Sequence, residues 1–297
     1  MGNNLFQDYV DDYLQGAQLT LSSHNSYRDS LNLYWLPALN DQKIYTISYR
    51  TLRQLDSSIE WPSQKTRKNA IAALRGVFTL AYDDALLPVN TSPAHQLRFK
   101  KHQKPAPDPF TIIERTRILA WMKTRAPPVH GRYFRIAFGT GMRTGELLAL
   151  NWDSLSGNQL KIRHSMVRGQ RKDTKTSAER TVLLPNWLAE ELAQSPDRSE
   201  EGHVFKNQYG RPYKSGYHLN RVFRQCLADL KIKSRTGPYP WRHTYASCGL
   251  TAGLEPAFLA RQLGHNLETF YSHYARWIQG DRDQQQMDKL EGSWGVC

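Results

Sequence analysis

The chain has 297 residues, 39% hydrophobic and 23% charged, which is enough for one large or two ordinary globular domains and is far from the composition of a disordered chain. Lys and Arg number 40 against 27 Asp and Glu, a formal net charge of +13 that no single polybasic tail accounts for, so the partner expected is a polyanion, most simply nucleic acid. Cys226, Cys248 and Cys297 are isolated and indicate neither a disulfide framework nor a zinc ribbon; with no apolar run near the roughly 18 residues of a membrane span and an acidic start without a signal-peptide core, the sequence predicts a soluble, cytoplasmic protein with no membrane partner.

Phe6, Tyr9, Val10, Tyr13 and Leu14 recur at helical spacing and define one face of a first helix. A second helix is predicted after Ser22 and Ser23 with Tyr27, Leu31 and Tyr34 inward, and a third over Tyr49 to Ile59. The fourth and longest starts after Pro62 and Ser63, turns Ile71, Leu74, Phe78 and Ala81 inward and ends near Leu87 and Pro88. Its outer face carries Lys65, Arg67, Lys68 and Arg75, read as phosphate contacts in a chain this basic. The chain enters its first helix almost at once.

Residues 1–103 thus form a helical domain. In RFKKHQKPAPDP, the basic residues, Lys100 and Lys101 among them, are expected to track a nucleic-acid backbone, and the prolines after them cannot continue a helix, so residues 104–110 are predicted to be a linker. Thr111 and Glu114 form a T-x-x-E capping box that restarts helix at the head of a second domain, residues 111–297. A helix follows around Arg132 to Phe138, broken by Gly139 and Gly141. Thr144 is then expected to cap a helix beginning at Gly145, with Arg143 on the preceding turn, aimed either at a phosphate or at Glu146.

Leu160, Ile162, His164 and Met166 alternate with polar residues as one strand, and Arg180, Val182 and Leu184 read as its partner. Between them RGQRKDTKTSAE is a basic hairpin tip, with Arg171, Lys172 and Lys175; a lysine there is able to reach a DNA-bound site and protonate a leaving oxygen, while the alternative is a solvated basic turn. The pattern then returns to helix through Trp187, Leu188 and Leu192, and through Leu219, Val222, Phe223 and Leu227. The fold class expected is mainly α with a small antiparallel β-sheet, and no phosphate-cradling loop, metal-ligand cluster or cofactor motif is present in the sequence.

Four segments in order, TGMRTGELLAL, TKTSAERTVLLP, YPWRHTYAS and QLGHNLETFYSHY, resemble the boxes of the tyrosine recombinase, or phage integrase, family. The resemblance implies a phosphate-binding arginine at Arg143 with Glu146 as its supporting carboxylate, a catalytic lysine at Lys175, a second arginine at Arg242 and a histidine at His265. The family's nucleophile lies nine residues beyond that histidine, which is Tyr274; Tyr271 is then a flanking aromatic. Where the family usually has histidine three residues before the second arginine, this chain has Tyr239, a phenol that donates hydrogen bonds but cannot act as an imidazolium near neutral pH. His243 reads as a helix-packing residue.

The chemistry implied is attack of Tyr274 on a phosphate of duplex DNA to give a covalent 3′-phosphotyrosine and a free 5′ hydroxyl, with the arginines and histidine stabilising the charged oxygens and no metal or ATP consumed. The partners implied are double-stranded attachment sites and a tetramer of the chain exchanging carboxy-terminal segments, for which Ala275 to Cys297 is the candidate, with an accessory DNA-bending protein left open. A type IB topoisomerase, or a DNA-binding protein of the same fold, are the alternatives.

Overall fold

The computed structural model describes residues 4–84, 92–99, 106–167, 169–173, 179–235, 238–278 and 283–294. It divides into two compact units, Met1–Lys104 and Pro105–Cys297.

The first unit is helical: α1 (Phe6–Gly16), α2 (Leu21–Ser30), a π-helical turn Leu31–Trp35 leading into α3 (Leu36–Leu39), α4 (Tyr49–Ser58) and α5 (Gln64–Asp83). Side-chain caps set the starts, with Thr20, Ser48 and Ser63 accepting the backbone N–H groups of Ser23, Thr51 and Thr66. The second helix therefore begins one residue before the serines from which its start was predicted. Phe6, Val10, Leu31, Leu52, Ile71, Leu74 and Phe78 close one apolar core. The Trp35 ring lies within it and donates its indole N–H to the Ala70 carbonyl at 3.0 Å, so a large side chain buries without orphaning its donor. α5 stops at Asp83, and its predicted end at Leu87 and Pro88 lies outside the described residues.

The second unit is mostly helical with two small antiparallel sheets. Its helices are α6 (Ile112–Thr124), α7 (Pro128–Thr140), α8 (Thr144–Leu148), α9 (Asn186–Ala193), α10 (Tyr217–Asp229), α11 (Pro240–Thr251), α12 (Pro256–Leu263), α13 (Leu267–Tyr274) and α14 (Asp283–Trp294). The Thr111 and Glu114 box is formed in both directions at the head of α6, at 3.1 and 2.8 Å. Gly139 does not break α7, which runs on to Thr140 and ends at Gly141, the residue that adopts the left-handed φ of 68° needed to turn the chain. Arg143, rather than Thr144, is the cap of α8, and Glu146 reaches back to its N–H at 2.8 Å.

The long strand read from alternation is two strands. β1 (Leu155–Ser156), β2 (Gln159–Ile162) and β5 (Arg180–Leu183) form one sheet in the order β1-β2-β5, with Leu160 opposite Val182. β3 (His164–Val167) folds back on β4 (Gln170–Asp173) as a separate hairpin. Period-two alternation continues across Arg163 and therefore hides the break between the two pairings.

Two apolar clusters organise this unit. The larger gathers α6, α7, α10, the three-stranded sheet and Trp241; the smaller gathers Ala246, Leu250, Leu259, Leu263, Phe270 and Tyr274 from α11, α12 and α13. α11 belongs to both, and Arg242 sits on it between Trp241 of one cluster and Ala246 of the other.

Candidate active site

Arg242 is only 4% exposed, a position a guanidinium occupies at a large desolvation penalty unless its donors are matched. Its Nη1 donates to Gly141 O at 2.9 Å, and its Nη2 donates to Leu263 O at 2.6 Å and lies 2.7 Å from His265 Nε2. Both carbonyls close helices, α7 and α12, so the cation lies at two helix C-termini, where the partial charge is negative. Burial, and then the neighbouring Arg143, push the guanidinium down to about 9, which leaves it charged at neutral pH. The chain enters α11 through Tyr239 in a left-handed conformation, φ 67°, uncommon for a residue with a side chain. Its ring packs edge-on against Trp241, whose indole N–H is held by Met142 O at 2.9 Å. The backbone leading into Arg242 is thereby fixed.

Glu146 is the buried anion of the site, also 4% exposed. Arg180 grips it with two parallel bonds of 2.8 Å, and the Arg143 guanidinium reaches it at 3.1 Å. Burial alone would raise the carboxyl, but the hydrogen bonds and charge of Arg180, followed by those of Arg143, hold it down at about 2. Glu146 thus stays ionised and supports two arginines, of which Arg180 is mostly buried and Arg143 is 39% exposed. Among these arginines Arg143 is the one that presents its guanidinium to solvent.

α12 ends at Gly264 with φ 63°, and the chain turns directly into His265. Burial, then Arg242 and Arg143, push His265 down to about 3, so it is neutral and its Nε2 accepts from Arg242. Its Nδ1 is buried with no hydrogen-bond partner among the described residues. The ring lies nearly parallel to that of Tyr274, with centroids 6.3 Å apart. Tyr274 itself is 1% exposed, packed among Phe270, Trp277 and His243, and burial raises its phenol above the ordinary value. The Tyr274 hydroxyl lies 3.0 Å from His243 Nδ1. Tyr271, on the same helix, is 44% exposed and touches the ring of Phe270 instead.

The structure therefore brings Arg143, Glu146, Arg242, His265 and Tyr274 to one place, with Tyr239 at the entrance to α11. Lys175, Lys100 and Lys101 lie outside the described residues, as does the Lys172 side chain, while Arg171 is exposed on β4. Lys65 and Lys68 are exposed on α5. Arg67, expected as a phosphate contact, has its Nε and Nη2 bound to Asp56 at 2.8 and 2.6 Å, an internal pair. Arg75 is likewise turned onto the carbonyls of Ala94 and Leu97. In the sequence Arg180 has only the pattern of a strand residue, because nothing in its neighbourhood signals that its partner is Glu146, and His243, expected to pack between helices, also touches the tyrosine hydroxyl.

Two arginines anchored by buried partners, a neutral histidine and a phenol in one cluster are the groups that phosphoryl transfer to tyrosine requires. On this fold they define a tyrosine recombinase, an enzyme that cleaves and rejoins DNA. Residues 112–278 match the phage integrase family, and the chain belongs to it. The prophage integrase IntR of Escherichia coli K12 is 27% identical over 91% of this chain and 69% of its own length. Tyrosine recombinase XerC of Chlamydia trachomatis is 27% identical over 71% of this chain and 67% of its own. Among solved structures, the Tn1549 transposon integrase in complex with a circular intermediate DNA superimposes with a TM-score of 0.75 at 17% identity, covering 96% of this chain and 98% of that one. A lambda integrase tetramer bound to a Holliday junction does so with a TM-score of 0.72 at 14% identity, covering 90% and 77%.

Proposed function

We propose that this chain is the integrase of a phage or other mobile element, acting on double-stranded DNA attachment sites through Tyr274. The observation that carries this reading is the convergence of Tyr274, His265, Arg242 and Arg143 from four separate elements onto one cluster. In it the Tyr274 phenol releases its proton to solvent as its oxygen attacks the scissile phosphorus and forms the phosphotyrosine bond, while the bond from phosphorus to the 5′ oxygen breaks. Lys175 supplies the proton that the departing oxygen takes up. Arg143 and Arg242 neutralise the non-bridging oxygens, where a preorganised cation in a water-poor site is worth most. The Tyr239 hydroxyl replaces the usual histidine as a hydrogen-bond donor. Glu146 and Arg180 hold Arg143 in place without touching the phosphate.

Residues 1–103 serve in this proposal as the core-site DNA-binding domain and residues 111–297 as the catalytic domain, joined by a linker over 104–110. Lys65, Lys68, Arg171 and Lys172 make phosphate contacts. The working assembly is a tetramer on two duplexes, in the cytoplasm, with an accessory DNA-bending protein as a further class of partner. Its precedent is the lambda integrase tetramer on a Holliday junction.

The test is covalent trapping on a nicked, end-labelled duplex carrying the element's own attachment site, in the absence of divalent metal. Wild type and Tyr271→Phe are expected to give a denaturation-resistant complex that Tyr274→Phe lacks. Specific binding without a complex in any variant would make the chain a DNA-binding protein.

A further inference from the structure

The active tyrosine and a histidine one residue beyond the buried arginine share a contact that the family chemistry above does not use. His243 lies on α11, Tyr274 closes α13, and the hydroxyl of one is 3.0 Å from Nδ1 of the other, with ring centroids 5.8 Å apart. The contact spans 31 residues and joins the helix that carries Arg242 to the helix that carries the nucleophile. Nothing else among the hydrogen bonds of the described residues engages the Tyr274 hydroxyl.

We infer that His243 is the positioning residue of the nucleophile, accepting the Tyr274 phenolic hydrogen at Nδ1 and so fixing the direction in which the oxygen meets the phosphate. The inference rests on the reading of Tyr274 as the nucleophile. Its chemical basis is the single hydrogen of a phenol. Donated to His243, that hydrogen is unavailable to a phosphate oxygen, an unproductive bond that would turn the lone pairs of the phenol away from phosphorus. A phenol is also a better donor than acceptor, which assigns His243 the tautomer protonated at Nε2. The neutral state of the ring agrees with this: burial, then His273 and Arg242, push His243 down to about 4, so at neutral pH it has a lone pair to offer.

The contact also supplies what packing alone does not. Phe270, Trp277 and His265 surround the Tyr274 ring and confine its plane, but aromatic faces leave rotation about the C–O bond free. A misdirected hydroxyl lowers the fraction of encounters in attacking geometry without changing how tightly DNA is bound.

The variants that separate this role from a merely structural one are His243→Leu, His243→Asn and His243→Gln, because Asn places its carboxamide where His carries Nδ1 and Gln places it where His carries Nε2. On the nicked attachment-site duplex, His243→Leu and His243→Gln are expected to form the covalent complex about tenfold to a hundredfold more slowly at saturating DNA, with the Kd for DNA unchanged. His243→Asn is expected to restore most of the rate. A Tyr274-dependent complex formed at the wild-type rate by His243→Leu, or Asn as slow as Leu, would overturn the inference alone. A complex that depends on Tyr271 would overturn the nucleophile reading and the inference together. Independently of DNA and of these variants' folding, Tyr274→Phe is expected to move the His243 Nδ1 resonance in long-range nitrogen–proton spectra of histidine-labelled protein; an unmoved resonance would count against the bond.

Discussion

Glu146 illustrates how a single side chain sets the charge of the site. Its two oxygens accept from Arg180 and Arg143, and the folded carboxyl sits at about 2 against an ordinary 4.5. A carboxyl lowered by folding stabilises fully above its ordinary value and loses that contribution as pH falls from about 4.5 toward 2. Glu146→Gln removes the charge and cannot accept both arms of the Arg180 fork, so covalent-complex formation is expected to drop at least about tenfold, with a clear loss of stability in urea denaturation. His265 and His243 act at higher pH with the same sign. Folding holds them at about 3 and about 4 against an ordinary 6.5, so the unfolded chain binds the extra protons and stability falls as pH drops below 6.5. The expected result is a lower urea midpoint at pH 5 than at pH 7.5, with a smaller difference in His265→Asn.

Among the elements, the site depends on how two helices end. Gly141 and Gly264 terminate α7 and α12 with φ of 68° and 63°, and the chain around them offers Arg242 the carbonyls of Gly141 and Leu263. A Cβ on Gly141 would come within 2.5 Å of Leu263 Cδ2, and one on Gly264 within 3.0 Å of Arg180 Nε. Either alanine substitution combines a left-handed backbone penalty of about 1–2 kcal/mol with a displaced neighbour, so thermal unfolding should shift down by several degrees and cleavage should fall further than DNA binding. In the first unit the comparable device joins α4 to α5. Asp56, 8% exposed, holds Arg67, and Arg67→Ala leaves that carboxylate unpaired at a cost of about 3 kcal/mol. A stability loss without a change in the salt dependence of DNA binding is the expected signature, and it distinguishes Arg67 from Lys65 and Lys68.

For the whole molecule the governing quantity is the net charge of +13, which makes DNA affinity fall with salt as counterions are released. Each of Lys65→Ala and Lys68→Ala is expected to flatten the plot of log affinity against log salt by about one unit while leaving unfolding unchanged. Met287 and Leu290 on α14 are 48% and 37% exposed, an arrangement that suits contact with a second copy. Truncation before α14 is therefore expected to leave cleavage of a single site within about threefold and to weaken synapsis by tenfold or more; equal loss of both in a folded truncation would remove the segment from assembly.

Much of this was legible in the chain, and the division has a physical reason. Helix starts are set within one turn by Ser, Thr and Glu caps, and apolar spacing sets their inner faces, so α1, α4, α5 and the head of α6 could be read locally. The ordered boxes around Arg143, Arg242, His265 and Tyr274 carried the family. What the tertiary structure alone decided were pairings between residues remote in sequence: Arg180 with Glu146 across 34 positions, Arg242 with Gly141 O across 101, and His243 with Tyr274 across 31. It also decided that Arg67 serves Asp56 and that one alternating run is two strands. Periodicity reports which face of an element is apolar, but which polar group meets which is settled by packing of whole elements, and that information has no local signature.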